Sequence, residues 1–250
     1  MPAILLVKTS SLGDVIHNLP VVSDIRNKLP GSDIDWVVER AYAQIPQLHP
    51  GVTRTIPVGL RVWRRQLASI ATWGEVRDFG RALRARRYDK VIDTQGLLKS
   101  ALVARAAHGC RCGYCAEAAR EPLAARFYDQ TFAIPKSVHA VERNRWLAAA
   151  ALGYPPDGPL DYGIRADPLA APWLPHGAYA VLLTAASRED KLWPETHWLA
   201  LAADLHAKGM RAVLPAGTAP ERRRALRLGE NMRRALAAPP LGLAALAGLI

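Results

Sequence analysis

The 250-residue chain is 50% hydrophobic and 22% charged, a balance that excludes a disordered protein and suits one large or two smaller globular domains. With 33 Lys and Arg against 22 Asp and Glu, its formal net charge is +11, so a polyanionic partner is expected; nucleic acid, an anionic membrane surface and a phosphorylated substrate all fit. The first apolar run is five residues long and ends at Lys8, and residues 241–250 are too short an apolar run to span a bilayer, so a cytosolic protein is expected, working at most at the inner membrane surface.

Strand and helix signals alternate along the chain, the pattern of a doubly wound α/β fold. Residues 3–7 suit a fully buried strand, and the loop Lys8-Thr9-Ser10-Ser11-Leu12-Gly13-Asp14 follows it. Asn18 then caps a helix that carries Pro20 in its first turn and Val21, Val22, Ile25 and Leu29 at helical spacing. Strands are predicted at residues 34–38, 54–58 and 90–93. Helices are predicted through Val76, Phe79 and Leu83, from Leu97, and over residues 140–152, with Gly153 as a left-handed cap. Residues 154–175 hold six prolines and read as a stiff linker, dividing the chain into domains at residues 1–153 and 176–250. Beyond it a second α/β unit restarts, with a strand at 179–184, a loop at 185–192, a helix from Pro194 to Gly209, a strand at 211–214 and an arginine-rich helix from Glu221. A third strand is expected near Ala235. Two or three strands are too few for a sheet covered on both faces, and residues 241–250 are expected to have nothing to pack against.

The first loop lies at the carboxyl end of a strand, where open α/β sheets bind ligands. Asp14 there is either a turn cap or a base able to take a hydroxyl proton, and His17 reads as structural. Lys191 precedes a helix start, so a diphosphate there would meet a lysine, backbone N–H groups and the helix dipole; its other reading is a surface lysine paired with Glu189 or Asp190. Glu221 favours a helix N-terminus. Arg61, Arg64 and Arg65 surround Trp63 in a predicted loop, either as a nucleic-acid patch with a stacking platform or as a grip on phosphates. The arginines at 222, 223, 224 and 227 wind around a helix and are assigned no site. Cys110, Cys112 and Cys115, with His108 before them, lack the separated pairs of a zinc set and are expected to be plain reduced thiols. One glycine in the first βα turn, where a dinucleotide fingerprint needs three, excludes that reading, and no Walker sequence is present.

Six stretches taken together resemble the lipopolysaccharide heptosyltransferase I family: residues 8–17, Asp35-Trp36-Val37-Val38-Glu39, Asp93-Thr94-Gln95-Gly96-Leu97-Leu98-Lys99-Ser100, Ala119-Arg120-Glu121-Pro122-Leu123-Ala124, His139-Ala140-Val141-Glu142-Arg143 and Arg188-Glu189-Asp190-Lys191-Leu192-Trp193-Pro194. The resemblance implies a GT-B glycosyltransferase of two Rossmann-like domains facing a cleft, the second incomplete here, since the family's Asp-Thr-Gly donor turn does not occur before residue 250. It implies an inverting transfer of heptose from ADP-heptose to the Kdo of Kdo2-lipid A, with no metal or other cofactor, by a monomer at the cytoplasmic face of the inner membrane. Asp14 would be the general base, and Lys191 would stabilise departing ADP. Ser187 and Glu221 would bind the donor, with Ala186 standing where the family has a second hydroxyl. Ser10, Ser11, Gly13, Arg61, Arg64, Arg65, Lys99, Arg120 and Arg143 would bind the acceptor, which favours the phosphate reading over nucleic acid. The rivals are a different ADP-heptose transferase, a non-catalytic binder of phosphorylated glycolipid, and an RNA-binding domain resting on charge alone.

Overall fold

The computed structural model describes residues 1–186 and 188–250, in two compact units, Met1–Arg165 and Ala166–Ile250. The first is built on a six-stranded, wholly parallel sheet in the order β3-β2-β1-β4-β5-β6. Its elements run β1 (Ala3–Val7), α1 (Leu12–Ile16), α2 (Leu19–Lys28), β2 (Asp33–Glu39), α3 (Gln44–Gln47), β3 (Arg54–Val58), α4 (Leu60–Trp63), α5 (Ile70–Arg84), β4 (Arg87–Asp93), α6 (Leu98–Ala106), β5 (His108–Tyr114), β6 (Gln130–Phe132) and α7 (Ala140–Leu152).

Central strands of a parallel sheet are buried on both faces, and β1 is apolar throughout for that reason. Ala3, Leu5 and Val7 share one core with Val37, Ile56, Leu83, Val91 and Val103, against which Val76 and Phe79 of α5 pack. Ile4 and Leu6 point to the opposite face by strand alternation and are equally buried. The chain runs outward from β1 to β3, returns to β4 and then runs the other way, so the strand order reverses between β1 and β4. That is the switch point at which the loops leaving neighbouring strands part and open a crevice.

Most predicted elements of this unit stand where the pattern placed them, and Gly153 caps α7 at φ 77°, ψ 32°. Three features differ. Residues 12–14, expected as loop, fall in the short helix α1, and Arg61 with Trp63 lies in helix α4. Cys110 and Cys112 of the cysteine cluster prove to lie in strand β5, with Cys115 just past its end; the strand's glycines and cysteines carry no β-branched signal, and the buried Cys112 thiol is pushed up to about 12, mainly by burial.

The expected linker is shared between the units. Residues 154–165 fasten onto the first: Gly158 O accepts from Arg145 Nη2 at 2.6 Å, Asp157 pairs with Lys28 at 2.6 Å, and the Arg165 N–H donates to Leu48 O at 2.8 Å. Leu169, Trp173 and Leu174 pack into the second. The boundary therefore falls at 165/166.

The second unit comprises β7 (Tyr179–Val181), α8 (Glu195–Ala207), β8 (Arg211–Leu214), α9 (Ala219–Asn231), β9 (Ala235–Ala237) and α10 (Leu243–Leu249), with the parallel sheet order β7-β8-β9. One face packs Leu182, Ala212 and Leu214 against Ala202 of α8 and Ala225 and Leu228 of α9. The other is covered by Leu169, Trp173, Leu174 and α10, with Leu249 buried. The expectation that residues 241–250 lack a packing partner is thus corrected. Val213 faces the side opposite Leu214 by alternation, and α10 supplies the apolar cover it needs. The N–H of Leu169 donates to Gly248 O at 2.7 Å, and the Tyr179 hydroxyl donates to Leu249 O at 3.1 Å, tying that helix down.

Arg145 carries the attachment of residues 154–165. It is buried, donates to both carboxylate oxygens of buried Asp24 at 2.8 and 3.0 Å, and reaches Glu142 at 3.1 Å. Arg145→Ala would leave Asp24 buried without its partner and is expected to cost about 3–5 kcal/mol, whereas Lys28→Ala, which removes an exposed pair, is expected to cost no more than about 1 kcal/mol. Urea unfolding of both variants checks the contrast.

Candidate active site

The two loops that leave β1 and β4 are locked together at the switch point. Thr9 donates to Gln95 Oε1 with its N–H at 2.7 Å and with its hydroxyl at 2.8 Å, and Lys8 Nζ donates to Thr94 O at 2.8 Å. Beneath them the fully buried Asp93 carboxylate accepts from the Gln95 N–H at 2.8 Å, the Gly96 N–H at 3.3 Å and the Tyr128 hydroxyl at 2.7 Å. Burial pushes the Asp93 carboxyl up, and these donors work against that.

Asp14 sits in the first turn of α1. Its Oδ2 accepts from the Ser11 N–H at 3.0 Å and the Ser11 hydroxyl at 3.2 Å, while Oδ1 accepts from Arg120 Nη2 at 3.0 Å. It is therefore a cap in fact, and its outer oxygen is held by an arginine. Partial burial alone would raise its carboxyl, but the Ser11 N–H, the Lys8 ammonium and Arg120 outweigh burial and hold it below the usual carboxylate range. Around it gathers positive charge. Lys99 Nζ donates to Ser10 Oγ at 3.3 Å, and Arg143 donates to Ala118 O at 2.6 Å with its guanidinium 4.7 Å from the Tyr114 ring centroid. Lys8, Gln95, Tyr114, Arg120, Arg143 and Asn144 line one small cavity of about 10 Å³, room for about one water molecule. One carboxylate amid several fixed cations suits an acidic substrate whose hydroxyl is to be deprotonated.

Of the sequence-predicted residues, the structure thus brings Ser10, Ser11, Gly13, Asp14, Lys99, Arg120 and Arg143 to one edge of the first unit. Arg61, Arg64 and Arg65 stand at the end of β3, on the same carboxyl edge but two strands from β1, roughly 10 Å along the sheet. The Arg61 N–H donates to Glu39 Oε1 at 3.2 Å, and its guanidinium lies 5.4 Å from the Tyr42 ring centroid. Trp63 corrects the stacking-platform reading: it is 8% exposed, packs edge-on against Phe79 and donates from Nε1 to Glu75 at 2.8 Å. His17 ends α1 with its ring 5.7 Å from that of His139, the residue that caps α7.

The residues expected to bind the donor belong to the second unit. Lys191 is exposed in a single turn after β7; Asp190, one of its suggested partners, is taken by Arg188 at 2.9 Å, and no ion pair to Lys191 occurs among the described residues. Glu221 Oε2 accepts from the N–H groups of Gly217 and Thr218, both at 2.9 Å, so the helix-capping role read from its position is real. Ser187 lies outside the described residues. Sequence reasoning passed over Lys8 and Gln95. The signal was there: a lysine directly ending an apolar strand is buried unless it can turn outward, and a buried lysine needs acceptors.

Two units with wholly parallel sheets, one presenting a carboxylate beside fixed cations at its switch point, define an α/β protein with an anion-binding edge, and comparison with solved structures identifies the fold as GT-B. E. coli heptosyltransferase WaaC with ADP superposes with a TM-score of 0.91 at 44% identity, over 99% of this chain and 79% of that one. The sequence profile of Glycosyltransferase family 9 (heptosyltransferase) matches residues 76–250. Lipopolysaccharide heptosyltransferase 1 of Escherichia coli (strain K12) is 45% identical over 249 residues, 99% of this chain and 78% of the relative. Its Pseudomonas aeruginosa counterpart is also 45% identical, over 99% of this chain and 70% of the relative. The chain belongs to glycosyltransferase family 9.

The ammonium of Lys8 is pushed down to about 8, mainly by burial, with Asp14 opposing the shift. As the pH rises from about 8 to 10.5, the folded protein has shed a proton that the unfolded chain still holds, so the cost of burying the charge is relieved and stability rises through that window. Relative to Lys8→Met, the wild type should gain up to about 1.4 kcal/mol per pH unit there. Urea midpoints from pH 7 to 10 decide it; a difference that does not change with pH would mean that Lys8 titrates normally.

Proposed function

We propose that this enzyme transfers L-glycero-D-manno-heptose from ADP-heptose to the Kdo of Kdo2-lipid A, a step of lipopolysaccharide inner-core synthesis, with inversion at the anomeric carbon. The observation that carries the reading is the Asp14 carboxylate, held in its ionised form by Lys8 and Arg120 on the edge that also carries Lys99 and Arg143, in a chain 45% identical to lipopolysaccharide heptosyltransferase 1. The donor reading is supported by WaaC, which has been solved with ADP and with ADP-2-deoxy-2-fluoro heptose.

In this mechanism Asp14 takes the proton of the acceptor hydroxyl as its oxygen attacks the anomeric carbon and the bond to ADP breaks. The acceptor's acidic groups lie on Lys99, Arg120 and Arg143, with Arg61, Arg64 and Arg65 gripping phosphates farther along the edge. An anionic group that draws Arg120 to itself also loosens Arg120 from Asp14 and so restores basicity to the carboxylate. Lys191 meets the growing charge on the diphosphate, while Ser187 and Glu221 hold the rest of the donor. Charge at the leaving group is thus supplied by side chains, and no metal is invoked. Because the acceptor is a lipid and the chain carries +11, the enzyme works as a peripheral protein on an anionic membrane surface, at the cytoplasmic face. No helix among the described residues is long and apolar enough to cross a membrane.

Asp14→Ala should cut turnover roughly 10²–10⁴-fold while leaving ADP affinity unchanged. Steady-state transfer and ADP titration test both halves, and near-normal turnover would leave Asp14 as a helix cap alone. Lys191→Ala should weaken ADP binding and lower turnover together, and equal ADP affinities in calorimetry would return Lys191 to the solvated surface.

A further inference from the structure

Helices α5 and α6 flank a groove of about 760 Å³ on the first unit. Its floor is apolar, formed by Val76, Phe79, Leu102 and Val103, and its rim carries Arg77, Arg81, Arg84 and Lys99 with no acidic lining residue. Arg81 pairs with Asp78 on its own helix, outside the groove. Leu102 remains 49% exposed although it is part of the floor. Exposed Ile70 (89%) and Trp73 (58%) continue the same stripe of α5, since positions 70, 73, 77, 80 and 84 recur at helical spacing.

The groove has a direction. Crossover helices run antiparallel to the strands, so the first turn of α6 lies at the carboxyl edge, where Lys99 both lines the groove and donates to Ser10 of the acceptor loop. The opposite end is closed by Arg84, whose Nε donates to Ala106 O at 3.1 Å. Between them stretches the length of α6, about 13 Å. In the middle of α5 stands Gly80, an unfavourable helix residue; a Cβ built on it meets nothing within 4 Å, so it faces open space that a larger side chain would fill.

We propose that the groove holds an acyl chain of the phosphorylated glycolipid acceptor, entering beside Lys99 and ending at the Arg84–Ala106 contact, with Lys99 at the entrance facing the lipid's anionic groups. This rests on the acceptor reading above. The charge pattern favours this occupant: an apolar trough bordered by cations alone matches a chain attached to phosphates, whereas a second copy of this strongly cationic chain would bring like charge to the rim.

The test uses a phosphorylated Kdo-disaccharide acceptor carrying hexanoyl or octanoyl chains below its critical micelle concentration, beside its fully deacylated form. For the wild type, binding by calorimetry should tighten with chain length, by up to roughly fourfold per methylene (about 0.8 kcal/mol). In Gly80→Phe, which fills the open space, and in Leu102→Glu, which charges the floor, the ratio between acylated and deacylated affinity should fall towards one. Thermal unfolding of both variants confirms that they fold. A ratio that survives both substitutions overturns the proposal. So does a groove effect seen only with phosphatidylglycerol vesicles, which would assign the face to a bilayer, or a Gly80-dependent dimer in sedimentation, which would assign it to a second copy. Absence of heptose transfer by the wild type would instead sink the functional reading, because the binding ratio is measured without turnover.

Discussion

The adjacency of β1 and β4 is the constraint on which the rest of the molecule depends. Parallel pairing of Val7 with Asp93 brings two loop starts side by side, and every later feature of the site is an outcome of how those loops are tied. Gln95 returns to Thr9, Lys8 to Thr94, and Asp93 gathers the backbone of its own loop beneath them. A buried carboxylate and a buried ammonium at neighbouring strand ends would each be costly alone. Satisfied by several partners, they become a rigid frame.

On that frame the chemistry is a matter of opposed electrostatic effects on one group. Burial favours a neutral Asp14, while an N–H, an ammonium and a guanidinium favour its ionised form and prevail. The same donors that secure the charged form also weaken it as a base. In the proposed mechanism an incoming anion competes for the arginine, which would couple substrate binding to activation of the carboxylate through Arg120.

The second unit shows how little sheet an α/β layer needs when both faces find cover. Three short strands are closed by α8 and α9 on one side and by α10 with the segment around Trp173 on the other. Proline here did not make a free tether. Its rigidity let one half of the stretch lie along Arg145 and the other half along the second sheet, since a stiff chain loses little entropy when it is laid against a surface.

Periodicity alone determined the alternation of strands and helices, the buried character of β1, the cap at Gly153 and the placing of Asp14 at a strand end, because these depend on interactions a few residues apart. The motif resemblance reached the family from the same letters. Tertiary structure alone decided the rest. That HGCRCGY is a strand follows from a neighbour, β4, more than fourteen residues earlier, not from its own weak propensity. Trp63 is core because Glu75 and Phe79 reach it from α5, and the residues after 240 form a covering helix because the face of Val213 lay open to them. Lys8 is a buried site lysine rather than an outward-turned strand terminus because Thr94, Asn144 and Asp14 meet it from three separate segments, and burial lowers its pKa against the pull of Asp14. Long-range contacts of this kind leave no period in the sequence, since each partner's spacing is set by the fold.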